Sequence, residues 1–314
     1  MRIVFFGTGA FGIPCLKALK NSRHEIPGVI TTHEKPSGRH LEMKPSPLKE
    51  WALKNEMPLL HFLKFRSAET VRDLTRMAPD LFVVADFGLI FSSDHLSVPR
   101  VMALNVHPSL LPRHRGAAPV HWTLILGDKE TGVTVAKVIE KLDSGDILLQ
   151  RTLPISPEDD ILSLENKLAH LGAEALMQAL AQIESGAFAL KPQTENDATY
   201  ARKLMKEDGH VDWTLPASTI QDRLRAMKLW PGSFCFYKGR RLILLEASRQ
   251  EAVSHGRADP RPGQILSASP DGGLWVATGR GTIELKKIQL EGRSAQSCKE
   301  FLNGFSMKEG DFLE

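Results

Sequence analysis

Short, wholly apolar runs separated by helical stretches constrain the first half of this chain more than any other feature. Arg2–Phe6 reads Arg-Ile-Val-Phe-Phe, and Ile26–Thr31, Asp80–Ala85 and Met102–Val106 repeat the type. Pro58–Phe62 and Gly132–Ile139 add two further strand candidates. Between them, helical spacing predicts helices over Ile13–Asn21, Ser46–Lys54 and Ala68–Met77. A strand that is apolar at nearly every position, rather than at alternate ones, is buried on both faces. Such strands alternating with helices predict a mostly parallel, doubly wound sheet covered on both sides, an α/β domain of Rossmann-like architecture. Leu162–Glu184 continues the pattern as a long helix. Its apolar positions, from Leu164 and Leu168 to Ala179 and Leu180, recur at steps of three and four and form one face to lay on that sheet.

The character changes at Gly186–Tyr200, which is polar, contains Pro192 and has no sustained period; it reads as a linker. Beyond it come short strand candidates at Ser233–Tyr237, Arg241–Ala247, Gly263–Ser267, Leu274–Thr278 and Thr282–Gln289, divided by turn residues. Several short strands at this spacing predict a small, OB-like β-barrel, a common platform for oligonucleotides. The expected organisation is a catalytic domain over 1–189, a linker over 190–205 and a C-terminal barrel over 206–314.

Composition serves to exclude. Apolar residues at 42% and charged residues at 25% rule out fibrous and disordered chains. No apolar run approaches the ~20 residues of a membrane span, and a lone Arg2 before an apolar strand and a glycine turn makes a poor signal peptide. Cys15, Cys235 and Cys298 lie far apart with no CxxC, which argues against a disulfide framework or a zinc site and for a cytoplasmic setting. The net charge of +3 is unevenly spread: residues 1–200 hold 22 basic and 23 acidic side chains, residues 201–314 hold 18 and 14. Arg223, Arg225, Lys228, Lys238, Arg240 and Arg241 account for much of the excess. Alone, such a cluster is an ordinary solvated face.

Two motifs carry chemistry. Gly7-Thr8-Gly9-Ala10-Phe11-Gly12 fits G-x-G-x-x-G between a strand and a helix, the arrangement that seats a pyrophosphate. A dinucleotide also needs an acid at the end of the second strand. That strand ends Val29-Ile30-Thr31-Thr32, with Glu34 only after His33, so a plain tight turn is the favoured reading. The denser motif runs from Asn105 to Asp146. Asn105-Val106-His107 places two polar side chains on one side of a strand's carboxyl end, because strand side chains alternate, and ligands bind at that edge of open parallel sheets. Pro108–Pro119 follows as a proline-rich loop with backbone groups to present to a flat heterocycle, and Leu142-Asp143-Ser144-Gly145-Asp146 adds carboxylates in a turn.

Together, Asn105-Val106-His107, Ser109-Leu110-Leu111-Pro112, Arg115-Gly116-Ala117-Ala118-Pro119 and Leu142-Asp143-Ser144-Gly145-Asp146 resemble the signature of the 10-formyltetrahydrofolate-dependent formyltransferases. The resemblance extends to the C-terminal part through Tyr200–Leu204, Lys206–Gly209, Val211-Asp212-Trp213 and Trp230-Pro231-Gly232. It implies that Asn105, His107 and Asp143 form the catalytic set. It also implies that Ser109, Leu110, Leu111 and Pro112, with Asp86, Phe87, Gly88 and Leu89, bind a 10-formyltetrahydrofolate co-substrate, with no metal. The C-terminal motifs imply initiator methionyl-tRNA as the acceptor. Lys35, Arg39 and Lys44 in the loop after the second strand, and Arg223, Arg225, Lys238, Arg240 and Arg241, are then expected to grip it. A monomer with no membrane partner is expected. The sequence departs from the family at Asp86-Phe87, where Ala-Tyr is usual, at Pro108 and at Ala10. Competing expectations are formyl transfer to another amine such as an amino sugar nucleotide, hydrolysis of the formyl folate, an RNA-binding protein with an inactive core, and a nicotinamide dehydrogenase built on Gly7–Gly12. The intact Asn105, His107 and Asp143 argue against an inactive core.

Overall fold

The computed structural model of the chain describes residues 1–32, 35–37, 42–62, 64–250 and 260–314. They form two compact units: Met1–Pro119 with Lys129–Ser156 and Ser163–Arg202, and Val120–Asp128 with Pro157–Leu162 and Lys203–Glu314.

In the first unit the chain runs through β1 (Arg2–Gly7), α1 (Gly12–Lys20) and β2 (Glu25–Ile30), then the small hairpin of β3 (Lys35–Ser37) and β4 (Glu42–Lys44). It continues through α2 (Pro47–Lys54), β5 (Leu59–Leu60), α3 (Ala68–Arg76), β6 (Leu81–Ala85), α4 (Ser93–Leu96) and β7 (Met102–His107). Then come β8 (Arg115–Gly116), α5 (Pro119–Ile125), which from Val120 onward belongs to the second unit, β9 (Glu130–Lys137), β10 (Ile147–Pro154), α6 (Ile161–Ser185), whose first turn begins in the second unit, and β11 (Tyr200–Ala201). The main sheet has the order β10-β9-β7-β6-β1-β2-β5. Its five strands from β5 to β7 are parallel, as the continuous apolar runs predict. The last two are antiparallel: β9 returns against β7 and β10 against β9. Sequence reading missed β10, whose burial is broken by Gln150, Arg151 and Thr152 because it is a sheet edge.

Local chemistry sets the helix starts. Ser46 caps α2 by accepting the Lys49 N–H, with Pro47 at the first position where no N–H is needed; Ser67 accepts the Thr70 N–H at α3. The β1 and β6 side chains build the core. Phe6 meets the rings of Phe65, Phe82, Phe87 and Phe91 edge-on at 4.9 to 6.1 Å between centroids. Removing one buried ring of this kind costs about 3–5 kcal/mol. The direction in which crossovers leave the sheet reverses between β1 and β6, which opens a crevice at their carboxyl ends.

The second unit holds α7 (Ala217–Ala226), β12 (Ser233–Tyr237), β13 (Arg240–Gln250), β14 (Ile265–Ser269), β15 (Gly273–Ala277), β16 (Thr282–Leu290), β17 (Gln296–Ser297) and α8 (Cys298–Gly304). Its antiparallel sheet has the order β12-β13-β16-β15-β14, with β17 on β16. Among the described residues the edges of the expected barrel, β12 and β14, do not pair directly. Residues 310–314 bridge them instead. Glu314 and Phe236 exchange N–H···O bonds of 2.7 and 2.8 Å on the β12 side, while Ile265 donates to the Asp311 carbonyl and Leu313 to that of Gly263, both at 2.8 Å, on the β14 side. The fully buried Cys235, Leu242, Ile265, Leu274, Val276 and Ile283 fill its interior.

Candidate active site

Asn105 and His107 stand at the carboxyl end of β7, and both face one carboxylate. Asn105 Nδ2 donates to Asp143 Oδ1 over 3.1 Å, and His107 Nδ1 lies 3.8 Å from the same oxygen. The Gly116 N–H donates to Asp143 Oδ2 over 2.9 Å. His107 Nε2 lies 2.9 Å from the His114 carbonyl oxygen. A carbonyl can only accept, so Nε2 carries a hydrogen and a second proton on this ring can reside only at Nδ1, beside Asp143. His107 is 4% exposed, so its ring has little freedom to leave this pose.

The loop after β7 is held by its neighbours rather than left open. Thr134 Oγ1 donates to the Ser109 carbonyl at 2.7 Å and accepts from the Leu111 N–H at 3.0 Å; Gln150 Nε2 donates to the Leu111 carbonyl at 2.8 Å. Ser109 Oγ donates to the Arg113 carbonyl at 2.7 Å, and the Leu111-Pro112 peptide is cis. Within the loop expected to present backbone groups to a heterocycle, the Ser109 and Arg113 carbonyls and the Leu111 N–H and carbonyl are bonded within the chain itself. Leu110 packs beside Gly132 of β9, and Leu111 is buried.

The polar stretch before β11 also reaches this site. The His114 N–H donates to Thr199 Oγ1 at 2.8 Å, the Arg115 N–H to the Thr199 carbonyl at 2.8 Å, and β11 pairs in parallel with β8. Arg115, 1% exposed, donates Nε and Nη2 to Gln193 Oε1 at 3.1 and 2.9 Å and Nη1 to Glu195 at 3.0 Å. Gln193 Nε2 donates to the carbonyls of Asp143 at 2.9 Å and Gly145 at 2.7 Å. Sequence reasoning assigned Gln193 and Thr199 no role, since neither stands at a motif spacing. Arg115 stands out in the sequence only as a member of the Pro108–Pro119 loop and of the family signature.

At the glycine turn beside the crevice between β1 and β6, the Gly9 N–H already has an acceptor. Asp86 follows β6 with a left-handed φ of 53°, and its carboxylate accepts the Gly9 N–H. A Cβ at Gly9 would overlap Asp86 Oδ2. The Asp86 carboxylate thus takes a donor that a pyrophosphate would use. The protein atoms walling in Asp86 raise its carboxyl above the usual range, even though the residue borders solvent. Burial, aided by the Asp86 charge, pushes Glu165 on α6 up to about 7.

Comparison with known proteins places the chain in a family. Residues 1–180 match the family described as formyl transferase, and residues 203–306 match the formyl transferase C-terminal domain. A methionyl-tRNA formyltransferase of Anaeromyxobacter dehalogenans is 42% identical over 309 residues, 98% of each chain. The chain belongs to the formyl transferase family. One from Geobacter sulfurreducens is 38% identical, covering 100% of this chain and 96% of its own. Among solved structures, HypX from Aquifex aeolicus in complex with tetrahydrofolic acid shares the fold at a TM-score of 0.65 and 19% identity. That likeness covers 100% of this chain and 50% of the HypX chain.

The remaining expected positions of this formyl transferase are dispersed. Phe87 packs into the aromatic core against Phe6 and Phe65 at 5.5 and 5.4 Å, so it holds the 86–90 segment down, while Gly88, Leu89 and Ile90 are exposed. Lys35 lies in β3, Lys44 is exposed in β4, and Arg39 lies outside the described residues. In the second unit, Lys238 and Arg240 are exposed at the β12–β13 turn, Lys238 with Asp311 at 2.9 Å. Arg241 lies over the Phe234 ring at 3.9 Å. Arg223 and Arg225 are half-buried on α7. Arg223 donates to the Asp208 carbonyl, and Arg225 to Asp222 and to the Asp159 carbonyl, each at 2.9 Å. Among the described residues no helix is long and apolar enough to cross a membrane.

Proposed function

We propose that this formyl transferase moves the formyl group of 10-formyltetrahydrofolate to the amino group of initiator methionyl-tRNA, as a cytoplasmic monomer. The observation that carries the chemistry is the convergence of Asn105 Nδ2, His107 Nδ1 and Asp143 on one point at the strand end. Full-length similarity to methionyl-tRNA formyltransferases supports the acceptor.

The surface around that point fits a flat, partly apolar donor. Leu89, Ile90, Ile139 and Leu142 are 41%, 54%, 39% and 58% exposed, uncovered aliphatic side chains on two adjoining segments. The Ser93 N–H donates to Glu140 over 2.8 Å, and Val138 packs against the aromatic core that holds Phe87, which fixes those segments side by side. Leu89, Ile90 and the backbone of 86–90 would hold one side of the heterocycle, and Ile139 and Leu142 the other.

When bound, the folate supplies a formyl carbon already activated on nitrogen. Asn105 Nδ2 is placed to donate to the negative charge that grows on the formyl oxygen as the amine attacks. A preorganised donor of this kind contributes about 3–4 kcal/mol. His107 Nε2 is committed to the His114 carbonyl, so any proton this ring gives the oxygen leaves from Nδ1. Asp143 Oδ1 stands beside both groups and accepts the proton the amine must lose; as the negative oxygen re-forms the carbonyl, the bond from the formyl carbon to the folate N10 breaks, and that proton is returned to N10 of the departing tetrahydrofolate. Exposed Lys44, Lys238 and Arg240 provide charge for phosphates, with affinity that falls as salt rises.

The test presents purified protein and labelled 10-formyltetrahydrofolate with methionyl-tRNA, free methionine, an amino sugar nucleotide and water as acceptors. Formyl-methionyl-tRNA as the dominant product supports the reading. Preferential formylation of the sugar, or release of formate alone, overturns it.

A further inference from the structure

We infer that Gln193 is a positioning residue for the reaction proposed above: it locks the turn that carries Asp143, so that the carboxylate meets Asn105, His107 and Gly116 together.

Gln193 has an amide, and an amide has two ends. The Oε1 end receives two N–H bonds from Arg115, at 3.1 and 2.9 Å. Arg115 has only donors, so the orientation of the Gln193 amide is settled by chemistry: Oε1 faces the guanidinium and Nε2 faces the other way. That NH2 group donates to the carbonyls of Asp143 and Gly145, at 2.9 and 2.7 Å. The two carbonyls flank Ser144 and define the turn.

The turn needs such a clamp. Asp143 has a φ of 49°, in the left-handed region that is unfavourable for residues with a Cβ, and such a conformation persists only where surrounding bonds over-determine it. Arg115 is 1% exposed and is itself anchored to Glu195. The next residue, Gly116, gives its N–H to Asp143 Oδ2. One pair of adjacent residues therefore holds the Asp143 carboxylate directly and the Asp143 backbone through Gln193. Gln193 touches none of the groups expected to react, so it acts through Asp143.

Two variants separate this role from general support. Gln193→Ala removes the clamp. Gln193→Glu keeps a partner for Arg115 but turns a second oxygen, with no hydrogen to donate, toward two carbonyls. Both should lower kcat at least ~30-fold with KM for both substrates within about threefold, since misplacement near 1 Å can cost about a hundredfold. In an Asp143→Asn background, Gln193→Ala should cost less than about twofold more, because residues acting as a unit are non-additive. Amide exchange at Gly116, followed by NMR without substrates, should accelerate at least ~10-fold in Gln193→Ala, because the N–H loses its fixed acceptor. Unchanged Gly116 exchange overturns the inference, as does an equal loss from Gln193→Ala with and without Asp143. If the parent protein transfers no formyl group yet Gly116 exchange still depends on Gln193, the clamp stands and the proposed reaction falls.

Discussion

The backbone N–H of Gly116 donates to Oδ2 of Asp143 over 2.9 Å, joining positions 27 residues apart. Gly116 has a φ of 123°, and a Cβ there would stand 2.6 Å from the Ala201 carbonyl oxygen. Gly116→Ala must therefore shift β8 away from β11 and carry the N–H with it. We expect kcat to fall about a hundredfold and stability to drop by roughly 1–3 kcal/mol. Steady-state kinetics and thermal unfolding on one preparation check both; a variant with parental kcat would show that the Gly116 N–H is dispensable.

The bond from His107 Nε2 to the His114 carbonyl makes a spectroscopic prediction. In ¹⁵N NMR, the hydrogen of a neutral His107 ring should sit on Nε2, the nitrogen that faces the His114 carbonyl. A ring found with hydrogen on Nδ1 and none on Nε2 would contradict the assigned pose. In the same account His107→Ala lowers turnover at least ~10².

Glu165 gives stability a pH dependence. Its ordinary value is 4.5, and burial with the Asp86 charge raises it to about 7. Between those values the folded chain retains a proton that the unfolded chain releases, so stability decreases as pH rises through that window. The cost is absent below it and complete above it. Each tenfold displacement of the proton equilibrium is worth about 1.4 kcal/mol, and partial solvent access reduces the whole to roughly 1–2 kcal/mol. Glu165→Gln should thus unfold at a higher temperature than the parent at pH 8 and at nearly the same temperature at pH 4.5. An equal effect at both pH values would refute the assignment.

The turn at Gly9 offers a coupled test. Gly9→Ala pushes the Asp86 carboxylate aside and breaks its bond from the Gly9 N–H, which should destabilise by about 0.5–1.5 kcal/mol. Asp86→Ala removes the obstruction, so Gly9→Ala should cost measurably less in that background. Additive losses would mean that the two residues do not share this space.

Much of the first unit was legible because burial on both faces leaves a direct trace, an apolar run such as Asp80–Ala85 becoming β6 at Leu81–Ala85. β10 was not, since an edge strand keeps polar residues such as Gln150 and Arg151. Asn105 and His107 were legible through strand alternation, and Asp143 through resemblance; the structure brings all three together. Gln193 was invisible because its role depends on Arg115, 78 positions away, and on two carbonyls that any residue would supply. The approach of Asp86 to Gly9 was also hidden, since Asp86 belongs to another strand's loop. The C-terminal strands were legible from their turns. The bridging by residues 310–314 was not, because backbone bonds such as that from Phe236 to Glu314 have no sequence signature.

The central claim, that Asp143 with Asn105 and His107 drives formyl transfer to methionyl-tRNA, is tested most directly by single-turnover transfer from 10-formyltetrahydrofolate, comparing the parent with Asp143→Asn at saturating substrates. The account predicts formyl-methionyl-tRNA from the parent and a rate at least ~10² lower from the folded variant. A variant rate within about threefold of the parent, or no formyl-methionyl-tRNA from the parent itself, would contradict it.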